Sequence, residues 1–270
     1  MNFNYFIFTV VLFVSCNEPA KNTLSSLKTT TIKSSNVVTN LDRIDEPKTE
    51  NDTKIIEVGY HENLKRIPHF ELDSIQEAEY NTIEAGKSFK VTKLEQRNDF
   101  FYIQGAKQKF EFKKYKDYKG DLSWSGYKYF GFNTVLNLAA LQELSTADYM
   151  GFSEMQLLDT SNDFLFKIIS LGDSSVSVPE LSPDNKHMVY FQNPEYESKD
   201  LTIVVLKVND KKNPAKFLTE YKCCFLQSDN KIEELKWKSN NVIYIKGYQS
   251  SGFDQYGKEL RNYYYYKAKI

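Results

Sequence analysis

The side chains that most often carry out chemistry are sparse in this sequence. None of its three histidines belongs to an HExxH motif. His61 and His69 lie on either side of Pro68 in a segment expected to be a loop, and His187 begins a predicted strand. We therefore predict structural roles for all three, and we expect neither a catalytic residue, a cofactor nor a metal centre.

The cysteines do not indicate a disulfide scaffold. Cys223 and Cys224 are adjacent, and neighbouring residues of a strand point to opposite faces, so a bond between them would need an unusual backbone. We expect two free thiols, one of them buried. A nucleophilic pair of Cys223 with a histidine stays open, but nothing in the sequence brings the two together. The chain also lacks GxSxG, Walker-type and GxGxxG motifs.

Two short segments concentrate oxygen ligands. They are residues 159–163, Asp-Thr-Ser-Asn-Asp, and residues 173–175, Asp-Ser-Ser. Calcium needs about six to eight oxygens in an organised loop such as D-x-[DN]-x-[DN]-G, and that pattern is absent. We interpret both segments as hairpin turns.

Lysines alternate with aromatic residues between positions 107 and 119. The aromatic members are Phe110, Phe112, Tyr115 and Tyr118. Such a pattern could form a nucleic-acid or glycan surface. It is equally the pattern of a strand with Phe inside and Lys outside, which discourages edge-to-edge pairing. We favour the strand and expect no nucleic-acid partner.

Four consecutive tyrosines occupy positions 263–266. In a strand, two of them face each side. The outward pair could join aromatic neighbours in a binding face for a protein or a sugar, whereas the alternative is a central or closing strand covered on both sides. The candidate binding face consists of Tyr248, Phe253, Tyr256, Tyr264 and Tyr266.

Composition favours β structure and gives no global electrostatic attraction to nucleic acid. The 270 residues include 35 basic and 36 acidic side chains, a formal net charge of −1. Aromatic residues make up 15% of the chain, with 19 Tyr and 19 Phe, and these types suit pleated, half-buried surfaces.

The segments that must position these residues are mostly short strands. From residue 55 onward, runs of Tyr, Phe, Val and Ile alternate with turn residues, which is typical of an antiparallel sandwich, barrel or propeller. One such run covers residues 87–94, and Gly105-Ala106 predicts a hairpin. The only helix-like stretch is residues 72–80.

Residues 178–191 align with residues 232–245, since each contains a strand, a polar turn and an apolar strand. In the first copy, Leu181 is followed by Ser-Pro-Asp-Asn-Lys. Pro183 presets φ, the Asp184 carboxylate can cap backbone N–H groups, and Asn185 tolerates a positive φ. The second copy keeps the turn but lacks Pro and Asp.

The first copy resembles the PD40 repeat, the WD40-like unit of TolB-type propellers, with Asn185 in place of the usual Gly. The resemblance implies propeller-type sheets, which usually serve as interaction surfaces. A full propeller needs at least about four blades, and the other blades are not recognisable. The predicted fold is all-β and antiparallel: a partial propeller-like or sandwich sheet stack with a small N-terminal β subdomain.

The N-terminus has the layout of an exported, lipid-modified protein. Residues 6–14 are an apolar run of signal-peptide length, followed by Ser15-Cys16. Residues 16–54 contain no aromatic side chain and read as a polar tether. Ser15-Cys16 resembles the lipobox of bacterial lipoproteins, although Phe13 replaces the preferred aliphatic residue and the first residues lack Lys and Arg.

This resemblance implies that the chain is cleaved before Cys16 and that Cys16 is acylated. The lipid on Cys16 would then attach the protein to a membrane. Asn17, where an Asp would favour the inner membrane, points to the outer membrane, on its periplasmic face or surface. We divide the chain into a signal peptide (1–15), a tether (16–54), a small β-rich subdomain (55–120) and a propeller-like domain (121–270).

The expected function is non-enzymatic binding of a protein or glycan of the cell envelope by a membrane-tethered lipoprotein. The overall pattern also resembles uncharacterised lipoproteins with one such motif, a family that lends no activity. A toxin-neutralising immunity lipoprotein is the main alternative, and an envelope hydrolase is a further one.

Overall fold

A computed structural model describes residues 54–84, 86–116, 124–147, 150–195, 200–227 and 229–270. Cys16, the predicted signal peptide and nearly all of the predicted tether lie outside these residues. Strands dominate the described chain, which confirms the predicted all-β fold. None of the helices in these ranges has the length and apolar composition needed to cross a bilayer.

The elements follow one another in a long series of strands with only single turns of helix. They are β1 (Lys54–Val58), α1 (His61–Leu64), β2 (Asp73–Ile75), α2 (Glu77–Tyr80), β3 (Glu95–Arg97), β4 (Phe100–Gln104), β5 (Lys109–Lys113), β6 (Trp124–Asn133), β7 (Leu138–Ala147), β8 (Met150–Asp159), β9 (Phe164–Ile168), β10 (Glu180–Leu181), β11 (His187–Gln192), β12 (Asp200–Val208), a 3₁₀ turn (Pro214–Lys216), β13 (Leu218–Gln227), β14 (Lys231–Ser239), β15 (Val242–Phe253) and β16 (Glu259–Lys269).

These strands form four sheets. Sheet A has the order β1-β9-β8-β7-β6, sheet B has β10-β11-β12-β13, sheet C has β14-β15-β16-β2, and sheet D has β3-β4-β5. The pairing is antiparallel throughout except between β1 and β9.

Three apolar clusters hold the sheets face to face in the order D–A–B–C. One cluster joins sheets A and B, a second joins B and C, and a third joins D and A. Strand β12 explains the arrangement, because Val204 and Leu206 face sheet A while Ile203 and Val205 face sheet C. A strand that is buried on both faces requires a continuous apolar run, and residues 203–206 supply one.

The segment before sheet D contacts the edges of three sheets in turn. Strand β1 pairs with β9 of sheet A, and β2 pairs with β16 of sheet C. Between them, the Phe70 N–H donates to the Cys223 carbonyl on the edge of sheet B, at 3.0 Å. We call residues 54–75 the strap.

Two local predictions were wrong. Residues 72–80 are not one helix, because residues 73–75 pair with β16 before the single turn α2 begins. Residues 87–94 are not a strand, since Lys90 makes only one isolated bridge, to Phe132. Contacts with remote residues determine the structure of both segments. Residues 73–75 pair with β16, and Ser88 is held by hydrogen bonds to the Glu180 carboxylate rather than by a neighbouring strand.

The turn that resembles a PD40 repeat adopts the expected local structure. Asn185 has a φ of +61°, and the Lys186 N–H donates to the Asp184 carboxylate at 3.2 Å. The buried Ser182 hydroxyl donates to Asp184 and accepts from the His187 N–H. The two aligned segments are the hairpins β10-β11 and β14-β15.

The predicted division near residue 120 stays a prediction, because residues 117–123 lie outside the described chain. The Gly105-Ala106 hairpin is confirmed, as residues 105–108 connect β4 to β5.

Candidate functional site

The hairpin of β15 and β16 extends beyond the rest of sheet C. Strand β14 pairs with β15 only as far as Tyr248, and β2 pairs with β16 only at residues 265–267. Within the described chain, residues 249–253 and 259–262 therefore pair only with each other. We call residues 249–262 the ribbon, and both of its backbone edges are open.

The tip of the ribbon has a defined turn. The Asp254 carboxylate accepts the N–H groups of Tyr256 (2.8 Å) and Lys258 (2.9 Å). The Gly257 N–H donates to the Asp254 carbonyl, and Gly257 has a φ of +78°, which favours glycine. The tip is thus held by its own hydrogen bonds rather than by packing.

This ordered tip exposes large apolar side chains. Phe253 is 70% exposed, Tyr256 is 85% exposed and Leu260 is 47% exposed. A single exposed apolar residue is ordinary, whereas several on one projecting element make it a candidate interaction surface.

A charged network fixes the base of the ribbon. The Glu233 carboxylate accepts hydrogen bonds from Lys246 (2.7 Å) and Arg261 (3.0 Å), and these partners lower its pKa. The Arg261 guanidinium lies 3.9 Å from the ring centre of Tyr248, and the Lys246 ammonium lies 4.3 Å from that of Tyr263. Together these contacts orient both aromatic rings on the outer face of sheet C.

The structure brings together part of the predicted binding face. Tyr248 lies on the outer face opposite Tyr263, and Phe253 lies opposite Glu259 on the same side, with Tyr256 at the tip. Tyr264 and Tyr266 lie on the inner face. Their placement separates them from the other three.

The inner tyrosines have structural contacts. Tyr266 packs against the cluster between sheets B and C. The Tyr264 ring covers Gly247, where any Cβ would lie 2.3 Å from the ring, and its hydroxyl donates to the Tyr248 carbonyl at 3.0 Å. Burial raises the pKa of Tyr264 above its usual range.

Tyr263 was not predicted as a surface residue. It is 45% exposed, whereas its outward-facing neighbour Tyr265 is covered by α2 and donates to Glu77 at 2.7 Å. Burial and that hydrogen bond raise the pKa of Tyr265 to about 12. Four identical side chains do not show in the sequence which pair faces outward. The pairing of Tyr263 with Tyr248 identifies the outward pair.

The two described cysteines are free, and both are buried rather than one. The Cys223 thiol donates to the Leu64 carbonyl at 3.2 Å. Burial raises the pKa of both Cys223 and Cys224 to about 11. This higher pKa disfavours the thiolate, which is the reactive form.

The histidines contact aromatic rings. His61 and His69 each meet the ring of Phe225 edge-on, at 5.6 and 5.5 Å between ring centres. His187 lies 5.1 Å from the ring of Tyr221, and burial lowers its pKa. No group of three or more His, Cys, Asp or Glu side chains in the described ranges is placed to hold a metal ion.

Residues 159–163 form the β8-β9 turn, as predicted. The Asp159 carboxylate accepts from the Ser161 N–H and pairs with Lys211 at 2.7 Å. The Asp163 carboxylate accepts the N–H groups of Ala106 (2.6 Å) and Lys107 (2.8 Å), which attaches the hairpin of sheet D to sheet A.

The lysine-rich segment contains the predicted strand. Phe110 and Phe112 are buried against sheet A, while Lys109 lies on the other face, paired with Glu95 at 2.5 Å. The lysines within β5 therefore lie on the side of the strand that faces away from the core, as expected for a strand that packs on sheet A.

No protein-family model, no curated protein and no solved structure matches this chain.

Proposed function

We propose that this protein is a membrane-tethered lipoprotein, anchored through Cys16, that acts as a non-enzymatic binding module for an envelope protein. The observation that carries the proposal is the ribbon, an ordered hairpin that exposes Phe253 and Tyr256 beyond sheet C. The function of this surface would be to hold a partner polypeptide.

The exposed side chains suit this role energetically. Complete burial of an apolar side chain such as Phe contributes roughly 1.5–3 kcal/mol. Aromatic residues are also frequent among the few interface positions that dominate binding energy. Since the Asp254 turn already orders the tip, binding would cost little additional conformational entropy.

The open edges of the ribbon define the form of the partner. Residues 249–253 and 259–262 present unpaired backbone N–H and C=O groups to one side each. An extended segment of the partner can add a strand to the β15 edge, with its apolar side chains against Phe253. Natural proteins usually protect such edges, and no other described residue pairs with either edge of the ribbon.

Site-specific photocrosslinking tests the proposal in the native envelope with the full chain. A benzophenone side chain replaces Tyr256, and the same group replaces Val91 as the control, since Val91 is 78% exposed elsewhere on the molecule. We expect a single adduct from position 256, mapped to one extended segment of one protein, and none from position 91. Adducts of equal yield from both positions, or an adduct only to a second copy of this chain, would refute the envelope partner.

The anchor has a separate test. A Cys16→Ser chain should leave the membrane fraction and lose the mass of the lipid, while its ribbon still crosslinks to the isolated partner. Retention in the membrane with an unchanged mass would exclude acylation at Cys16.

A further inference from the structure

A cleft of about 530 Å³ lies where the edges of sheets A, B and C converge. Residues 132–135 at the end of β6, the short strand β10 and residues 236–237 of β14 line it, and Glu84 and the segment 86–92 add to the lining. Its volume lies within the roughly 300–1,000 Å³ of small-molecule sites. The cleft is separate from the ribbon and does not depend on the function proposed above.

Three lysines line the cleft. Lys87, Lys90 and Lys236 line it, and none of them forms an ion pair within the described chain. The Lys236 ammonium donates to the Ile83 carbonyl at 2.6 Å, which fixes its position. Against these three lysines stand two carboxylates, Glu84 and Glu180, so the lining has an excess of positive charge.

One wall of the cleft is held rigidly. The Glu180 carboxylate accepts the N–H (3.0 Å) and the hydroxyl (2.7 Å) of Ser88, and the Glu180 carbonyl accepts the indole N–H of Trp237 at 2.9 Å. Burial raises the pKa of the Glu180 carboxyl. Asn133 donates to the Ser88 carbonyl and completes this wall.

The remaining lining combines apolar surface with free polar groups. Phe132, Leu181 and Trp237 provide flat or aliphatic surface, of the kind that packs on the C–H face of a sugar ring. The side chains of Thr134 and Asn185 make no hydrogen bond with any described residue, so they can bind hydroxyl groups. The lysines match an acidic substituent.

We propose that this cleft binds an acidic sugar, a hydroxylated ring that carries one carboxylate or phosphate group. Lys87 and Lys90 contact the acidic group, Thr134 and Asn185 contact ring hydroxyls, and Trp237 packs against the ring.

Tryptophan fluorescence of the full chain tests the proposal. The chain has two tryptophans, so a Trp124→Phe background leaves Trp237 as the reporter. The probes are glucose 6-phosphate and glucuronate, compared with glucose and inorganic phosphate. We expect saturable emission changes with at least one acidic sugar, and binding at least about tenfold weaker for glucose and for phosphate alone. The stronger of the two acidic probes identifies the acidic group.

Two substitutions with opposite expected effects on affinity distinguish a change in binding from a general loss of folding. Lys87→Ala should weaken binding of the acidic sugar by about tenfold, because a charged hydrogen bond is lost. Glu180→Gln should tighten it, since a negative charge is removed while the amide carbonyl still accepts from Ser88. The control is Lys65→Ala, at the exposed end of α1, with no expected effect. No saturable response to either acidic sugar, equal affinity for glucose or for phosphate, or weakening by Glu180→Gln would overturn the proposal.

Discussion

At the scale of single residues, Asp254 decides whether the ribbon has a fixed tip. An Asp254→Ala change removes the acceptor of two backbone N–H groups. Losing a side-chain cap of this kind costs roughly 0.5–2 kcal/mol, and the loss should be confined to the turn. We expect faster hydrogen exchange at residues 255–258 with little change in the melting temperature, measured by exchange mass spectrometry and calorimetry.

Asp210→Ala is the matched control for this change. Asp210 also accepts a backbone N–H two residues later, from Lys212 at 2.9 Å, but in a different loop. Faster exchange at the ribbon tip in the Asp210 variant, or unchanged exchange in the Asp254 variant, would show that Asp254 does not organise the tip.

The buried thiols make stability sensitive to alkaline pH. Burial raises the pKa of Cys224 from 9.0 to about 11, so unfolding releases a proton between these values. The stabilising contribution is complete below pH 9 and is lost as the pH rises to 11, by roughly 1.4 kcal/mol for each pH unit. Urea unfolding from pH 8 to 10.5 should therefore show a smaller decline in Cys224→Ala than in the parent chain. Parallel curves would contradict the raised pKa of this thiol.

The tyrosine run shows what a residue type can and cannot predict. The alternation of residues 263–266 follows from strand geometry alone. Which pair faces outward depends on the partner strand, and here Gly247 leaves space for Tyr264 on the inner face. By contrast, the conformation of Asn185 was predictable, because the Ser-Pro-Asp-Asn turn specifies it locally.

At the scale of elements, the cleft depends on the close approach of residues 86–92 to β6. Gly131 has a φ of +139°, and a Cβ at this position would lie 2.8 Å from the Lys90 backbone. Gly131→Ala should therefore separate the two segments and lower the free energy of unfolding by roughly 1–3 kcal/mol. Chemical denaturation measures the loss, and the proposed sugar binding should weaken in parallel.

Gly151→Ala provides the control in the same sheet. Gly151 belongs to β8, and a Cβ there would meet no atom within 4 Å. Its effect should be within about 1 kcal/mol of zero and can be stabilising, since alanine restricts the unfolded chain. Equal destabilisation by both changes would mean that the approach to Lys90 is unimportant.

Most strands could be predicted because their pattern is local, and the exceptions depend on remote contacts. The Gly105-Ala106 hairpin is specified by a few neighbouring residues. Residues 87–94 have a strand-like composition, but their backbone is held by Glu180, about ninety positions away. A pattern within the segment cannot contain that information.

At the scale of the whole molecule, the spacing of the strands in the sequence predicts a stack of sheets, but it does not predict the order D–A–B–C in which the sheets pack. The double-sided burial of β12 is visible as a continuous apolar run. The strap is less visible, because β1 finds its parallel partner β9 more than a hundred residues later. The ribbon is equally hidden, since its exposure depends on where β14 and β2 stop pairing.

Because the strap contacts three sheets, it should make their unfolding cooperative. Phe70 is 7% exposed, belongs to the cluster between sheets B and C, and its N–H is bonded to the edge of sheet B. Phe70→Ala should cost roughly 3–5 kcal/mol, while Tyr60→Ala, which truncates an exposed ring in the same strap, should cost less than about 1 kcal/mol. If the strap joins the sheets, the parent chain and the Tyr60 variant unfold in one transition when followed by both tryptophan fluorescence and circular dichroism, whereas the Phe70 variant unfolds in separate transitions. A single transition in the Phe70 variant, at a lowered free energy of unfolding, would show that the sheets cooperate without the strap and that the strap is only a peripheral attachment.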